Sequence, residues 1–285
     1  MPKEPWIWQG GKILPAREAT VSVLDHGFLY GDSIYETVRT FRGRLFDLEA
    51  HLERLERSAN LLGLALPCSR EELTGWIEET AAVAAPAEAG IRVTLSRGPG
   101  PLGIDPEPCR DPQILIYGWA LPDGPHPARE LGLRLAVATV RRNSPEALDP
   151  AIKSGNFLNN IQALREAHSR DFDDAILLTL EGHVAEGTTW NLFWRQGETL
   201  RTGVDRGILR GVTRGWVFEA AERLRIPVER GSFAAEDLFT AEEAFITSSI
   251  RGILPVRSIE DREFPVPGAM TARFLTEYDR TTQGE

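Results

Sequence analysis

The chain has 285 residues, 42% hydrophobic and 26% charged, which is enough ordinary globular sequence for one large domain or two smaller ones. Its formal charge of −10 argues against a nucleic-acid-binding protein, which needs a basic face toward phosphates. No apolar run approaches the ~20 residues that span a bilayer, the N-terminal MPKEPWIWQGGKIL lacks a signal-peptide core, and the two cysteines and five scattered histidines form no metal or redox motif, so a cytoplasmic protein without a metal is expected.

In chain order, residues 6–9 and 12–14 flank Gly10-Gly11, a hairpin signal. Residues 34–41 read as a strand, and Arg42-Gly43-Arg44 turns it back into Leu45-Phe46. A helix follows: Asp47 can cap it, Leu48, Leu52, Leu55, Ala59 and Leu62 make an apolar stripe, and Gly63 ends it. A second helix covers 70–84. Strands are predicted at 91–96 and 113–119, with the Gly/Pro loop RGPGPLGIDPEP between them. Residues 121–132, rich in Pro and Gly, are the candidate linker between an N-terminal domain, 1–120, and a larger C-terminal one, 133–285.

The second half opens on a strand, 133–139. The helix after Lys153 is expected to carry Phe157, Ile161, Leu164 and His168 on one face. Short strands at 175–180, 183–186, 190–195 and 199–202 predict a β-meander. A helix at 213–224, a short turn or helix at 237–241 and a buried strand at 244–247 complete the reading, which makes the chain α/β (α+β).

Lys153 organises the chemistry. Of 32 basic residues only Lys3, Lys12 and Lys153 are lysines, and the first two lie at the N-terminus. An Arg cannot deprotonate in a protein, whereas a desolvated Lys can act as a nucleophile or form a Schiff base. A solvated loop charge is the plain alternative. Arg54 has no carboxylate three or four residues away on its helix, so it is available for an anion or is an ordinary surface Arg. Gly211-Val212-Thr213 precedes a helix, which makes either an anion site or a simple cap. The hydroxyls of Thr247-Ser248-Ser249 at a strand end can donate to phosphate or form a polar turn. Glu186 ends a strand before Gly187-Thr188-Thr189; it could hold a protonated ring nitrogen or be an exposed edge residue. Together these supply an amine, a carboxylate and phosphate donors, the set that pyridoxal phosphate requires.

The motifs LDHGFLYGDSIYETVR, HLERL, IKSGNFLNN, AEGTTWNLF, GILRGVTR and FITSSIRGILPV stand in this order. In that order and spacing the chain resembles the class IV aminotransferases, which include branched-chain and D-amino-acid aminotransferases and aminodeoxychorismate lyases. The resemblance runs from about residue 21 to about residue 259. It implies the D-amino-acid-aminotransferase-like fold type IV, two α/β domains with pyridoxal 5′-phosphate between them, in a homodimer. It also implies roles: Lys153 as the cofactor lysine, Arg54 on the phosphate, Glu186 on the pyridine nitrogen and Leu209 against the ring. Val212 and Thr213, with Ser248 or Ser249, would bind phosphate. Relatives often carry Tyr where this chain has Phe157, so one hydroxyl near the cofactor is missing.

Tyr30, Tyr35, Arg92, Leu102, Ile104 and Trp119 occupy positions that resemble the substrate pocket of branched-chain enzymes. Apolar Leu102 and Ile104 favour an aliphatic substrate over a second anion. Thr37 replaces a small Gly of those enzymes and is similar to the lyases, and Arg39 is a further cation that could take a carboxylate. The resemblance therefore implies amino acids and 2-oxo acids as partners. A branched-chain L-amino-acid:2-oxoglutarate aminotransferase is expected, with a D-amino-acid aminotransferase and aminodeoxychorismate lyase as alternatives.

Overall fold

A computed structural model describes residues 4–85, 88–122 and 124–284. The chain forms two compact units, 1–123 with 152–156, and 124–151 with 157–285.

In the first unit, β1 (Trp6–Gln9) and β2 (Lys12–Pro15) form the expected hairpin. After α1 (His26–Tyr30) come β3 (Ser33–Phe41), β4 (Arg44–Leu45), α2 (Leu48–Leu62), α3 (Arg70–Ala84), β5 (Ala89–Ser96) and β6 (Gln113–Ala120). The strands make one six-stranded antiparallel sheet, ordered β2-β1-β6-β5-β3-β4. Side chains alternate across a strand, so each face has its own character. Ile34, Val38, Ile91, Val93, Leu95, Ile114 and Ile116 join Leu52, Leu55 and Ala59 of α2 and Leu73, Ile77 and Ala81 of α3 in one core. The other face carries Tyr35, Thr37 and Arg39 beside Thr94, Arg92 and Gly90, with Tyr117 and Trp119 on β6.

The helix caps divide. Ser69 and Glu72 form a capping box that starts α3 where the sequence places it. Gly63 ends α2 in the left-handed region, at φ 60°. Asp47, expected to cap α2, does not: its own φ is 54°, and its side chain makes no cap hydrogen bond. In that conformation it is part of the turn into the helix.

Residues 152–156 return to the first unit. Ser154 bridges Ile34, the Gly155 amide donates to the Ser33 carbonyl at 2.9 Å, and Ile152 packs against the core. The sequence boundary at 121–132 puts these residues in the C-terminal domain. Pairing with the start of β3, a long-range contact that composition does not carry, groups Lys153 with the N-terminal sheet.

The second unit holds α4 (Ala128–Leu131), β7 (Leu133–Val137), α5 (Leu158–Ser169), β8 (Asp174–Leu178), β9 (Val184–Gly187), β10 (Asn191–Gln196) and β11 (Thr199–Gly203). It continues with α6 (Val212–Leu224), β12 (Val228–Gly231), α7 (Glu236–Phe239), β13 (Glu243–Ser248), β14 (Gly252–Ile259), β15 (Arg262–Glu263) and α8 (Ala269–Gln283). The sheet order is β12-β11-β10-β13-β14-β7-β8-β9, with β15 on β14. Trp194, Ile246, Leu254 and Leu135 lie in its core.

Two expectations change here. The predicted meander is two separate hairpins, β8–β9 and β10–β11, because β13 takes the other edge of β10. The α5 helix turns a different face inward. Asn160, Ala163 and Ala167 are buried, whereas Ile161 is 51% exposed and Leu158 77%. Ala163 and Ala167 meet Ala136, Ala138 and Ala175 of the sheet side. Small side chains on both elements allow close approach, so burial follows the alanines and not the larger apolar residues. Among the described residues no helix is long and apolar enough to cross a membrane.

Candidate functional site

The sequence-selected residues fall into two groups, one in each unit. In the first unit the Lys153 carbonyl accepts from the Tyr35 amide at 2.9 Å, and the Lys153 amide donates to Ser58 Oγ at 3.2 Å. Lys153 Nζ donates to Tyr35 Oη at 3.1 Å. The Arg92 guanidinium lies 3.6 Å from the Tyr35 ring centroid. Arg92 is cross-strand from both Thr37 and Tyr117, so Lys153, Tyr35, Thr37 and Arg92 share the polar face of the sheet. Among the described residues Arg92 has no carboxylate partner; its Nε donates to Thr94 Oγ1 at 3.3 Å. Burial pushes the Tyr117 hydroxyl above its ordinary pKa, and the charge of Arg92 opposes this only in part. Trp119 lies against Gly90, where a Cβ would strike its ring.

Arg54 is not unpaired. Its Nε and Nη2 donate to the two Glu36 oxygens at 2.6 and 2.8 Å, and His51 Nδ1 lies 2.7 Å from Glu36 Oε2. All three side chains are buried. Burial alone would raise the Glu36 carboxyl, but the charge and hydrogen bonds of Arg54, then those of His51, hold it well below the usual carboxylate range. Burial lowers His51 below its ordinary value, more than Glu36 raises it. Spacing along the helix gives Arg54 no partner because Glu36 lies eighteen residues away on β3. Glu36 alternates with Ile34 and Val38 on the core face, and a carboxylate in that register must bring a partner with it. That signal is present in the sequence.

Arg39 is engaged by Glu88 at 2.7 Å and stacks on Phe41. Tyr30 Oη accepts from the Gly103 amide at 2.9 Å and so holds the loop that carries Leu102 and Ile104, both of which are exposed.

In the second unit Glu186 is buried and held from three directions. Arg142 Nε donates to Oε1 at 2.7 Å; Asn191 Nδ2 and the Leu209 amide donate to Oε2 at 3.2 and 3.0 Å. These bonds keep an ionised carboxylate in place. Neither Arg142 nor Asn191 stands out in the sequence, since each reaches Glu186 from another element. Asn191 also donates to the Leu209 carbonyl at 2.9 Å, and its Oδ1 lies where a Cβ on Gly211 would sit. Gly211 is the cap residue of α6 and gives it no side-chain bond.

Beyond Gly211, Val212 and Thr213 begin α6, where the first backbone N–H groups have no partner within the helix. Thr213 Oγ1 is buried and has no hydrogen-bond partner among the described residues, and the same holds for Thr247 Oγ1 on β13. A buried polar group left unmet costs about 1–3 kcal/mol, so the Thr213 hydroxyl at a helix start fits an anion rich in acceptor oxygens. Ser248 and Ser249 follow at the strand end; Ser248 Oγ accepts from the Arg251 amide at 3.2 Å, closing the turn. Asp174 ties down the segment after Glu186: it accepts from Thr188 Oγ1 at 2.6 Å and from Trp190 Nε1 at 2.7 Å.

Comparison with known proteins gives a consistent result. Residues 33–259 match the family described as amino-transferase class IV. A protein of Methanocaldococcus jannaschii, named provisionally as a branched-chain-amino-acid aminotransferase, is 38% identical over 90% of this chain and 88% of its own. Aminodeoxychorismate lyase of Bacillus subtilis is 34% identical over 90% of this chain and 87% of its own. Among solved structures, the branched-chain aminotransferase of the thermophilic archaeon Thermoproteus uzoniensis with norvaline aligns with a TM-score of 0.89 at 32% identity. That alignment covers 98% of this chain and 95% of the other.

Proposed function

Because the chain belongs to the class IV aminotransferases, we propose that it transfers the amino group of an aliphatic, branched-chain L-amino acid to 2-oxoglutarate. Enzymes of this family work with pyridoxal 5′-phosphate. When bound, it would supply an electron sink for the pair left at the substrate α-carbon.

The roles of the chain's own residues follow. Lys153 would hold the cofactor through its amine, and its Nζ would take the proton from the substrate α-carbon. Glu186, fixed by Arg142, Asn191 and the Leu209 amide, keeps a proton on the ring nitrogen. Leu209 packs on the ring. Arg54, oriented by its pair with Glu36, would bind the phosphate together with the Val212 and Thr213 N–H groups, the Thr213 hydroxyl and Ser248 or Ser249. The buried hydroxyl of Thr213, without a hydrogen-bond partner among the described residues, supports that fit. Tyr35, Thr37 and Trp119 receive the substrate side chain. Tyr30 and, on the loop it holds, Leu102 and Ile104 are assigned to the same pocket, in an enzyme that acts as a homodimer.

The observation that carries the substrate reading is how the cations on the Tyr35 face are engaged. Arg39 is tied to Glu88, whereas Arg92 has no carboxylate partner among the described residues. One available guanidinium suits the distal carboxylate of the acceptor; a second, which would favour an acidic donor, is occupied. Arg92→Ala is expected to raise KM for 2-oxoglutarate by about 10- to 100-fold, in line with the ~1.5–3 kcal/mol of a charged hydrogen bond. The half-reaction with L-leucine should stay within about threefold, on the same basis. Single-turnover and steady-state assays separate the two.

The proposal is tested by mixing the cofactor-loaded protein with L-leucine, L-valine, D-alanine or (R)-1-phenylethylamine and following the visible band. L-leucine and L-valine should bleach it. Bleaching by D-alanine alone would replace the L-specific reading with the D-amino-acid one. Thr37 and the B. subtilis relative favour a second reading, a lyase. Pyruvate release from aminodeoxychorismate without an amino acceptor would establish it.

Thr213→Val offers a further check on the phosphate role. Valine keeps the shape and removes a hydroxyl that has no partner among the described residues. The cofactor-free variant should be at least as stable as the parent, because no internal bond is lost. Its cofactor dissociation constant should rise about tenfold, the equivalent of one hydrogen bond. Thermal unfolding and cofactor titration read the two effects independently.

A further inference from the structure

Tyr35 holds Lys153 at two points. Its amide donates to the Lys153 carbonyl at 2.9 Å, and its phenol oxygen accepts from Lys153 Nζ at 3.1 Å. The first bond fixes where the side chain starts and the second fixes where it ends. Nζ also lies 4.3 Å from the Tyr35 ring centroid. The ring is itself held: Tyr35 is buried, and the Arg92 guanidinium packs on it at 3.6 Å. A lysine side chain is otherwise flexible, and its charge alone does not choose a direction.

We propose that Tyr35 is a positioning residue, whose hydroxyl holds the Lys153 amine in the orientation from which it meets the cofactor aldehyde. The inference rests on Lys153 being the cofactor lysine and assigns Tyr35 a role besides lining the substrate pocket. In the step concerned, Nζ bonds to the aldehyde carbon, and the carbonyl oxygen leaves as water with both amine protons. An amine held in place meets the aldehyde more often in a productive geometry.

The test compares the full-length wild-type protein with Tyr35→Phe, each freed of cofactor and mixed rapidly with pyridoxal 5′-phosphate. Phenylalanine keeps the ring beneath Arg92 and removes only the hydroxyl. The rate constant for appearance of the visible band should fall about tenfold. In the loaded enzyme kcat should fall by a similar factor, while KM for the amino acid stays within about twofold. Capture at the wild-type rate overturns the proposal, as does a KM change without a kcat change. If the Phe variant does not fold, Tyr35→Gln carries the test, because it restores an acceptor without the ring. Capture at least one third as fast as wild type is expected of it, and a tenfold loss overturns the hydrogen-bond role. A Lys153→Ala control separates the two levels: a full visible band in that variant would refute the lysine assignment itself, whatever Tyr35 does.

Discussion

Lys153→Ala is expected to lose transamination by at least about 10³-fold, because it removes both the cofactor's covalent anchor and the general base. The visible band of the loaded protein should vanish with it. Lys153→Arg should fare no better, since a guanidinium keeps its charge and cannot condense with an aldehyde at neutral pH. The comparison of Ala with Arg matters because Arg retains the positive charge. An electrostatic role alone would leave Arg partly active; a covalent role leaves both variants inactive. Cofactor titration, absorbance and steady-state rates on the purified variants check this. Retained turnover in either one contradicts the assignment.

The second large effect concerns the buried Glu36–Arg54–His51 cluster. Arg54→Leu should destabilise the protein by about 3–5 kcal/mol, because it leaves the Glu36 carboxylate buried without its bidentate partner. His51 cannot replace the lost charge readily, since burial holds it below its ordinary pKa. The double variant Glu36→Leu/Arg54→Leu should recover most of that loss, because it removes both charges together. Urea unfolding of wild type, both single variants and the double measures the coupling. The pH dependence has a definite sign. The folded Glu36 carboxyl lies well below the usual range, so the unfolded chain takes up its proton first as pH falls. The cluster's contribution is therefore full above the ordinary carboxylate pKa and is lost as acid carries the pH below it. Stability of the double variant should lack this share of the acid dependence.

The helices show what local chemistry makes legible. The α3 helix begins at Arg70 and ends at Ala84, where the sequence places it, because Ser69 and Glu72 supply a local start signal. The β3 strand and the apolar stripe of α2 are legible for the same kind of reason: their periodicities are local. Apolar size is a poor guide to the buried face of α5. Ala163 and Ala167 pack closely on a sheet that is itself lined with alanines, while Ile161 is left half exposed. The meander fails for a topological reason, since β13 enters from a distant part of the chain to pair with β10.

At the candidate site, residue chemistry is more legible than partnership. The rarity of Lys singles out Lys153, and motif order points to the family, which the comparisons support. The partners of these groups are another matter. Glu36 for Arg54, Arg142 for Glu186 and Glu88 for Arg39 come from elements well separated along the chain, while Asn191 reaches Glu186 from the next strand. Only tertiary structure brings them within hydrogen-bond distance. Glu36 is the exception, because strand parity alone places it on the core face.

The scarcity of lysine gives a decisive chemical measurement. The loaded protein is reduced with borohydride, digested, and its peptides are weighed. The cofactor mass should appear on the peptide that carries Lys153. Its appearance on a peptide carrying Lys3 or Lys12, or on no peptide at all, would contradict the role assigned to Lys153 and to the residues grouped around it.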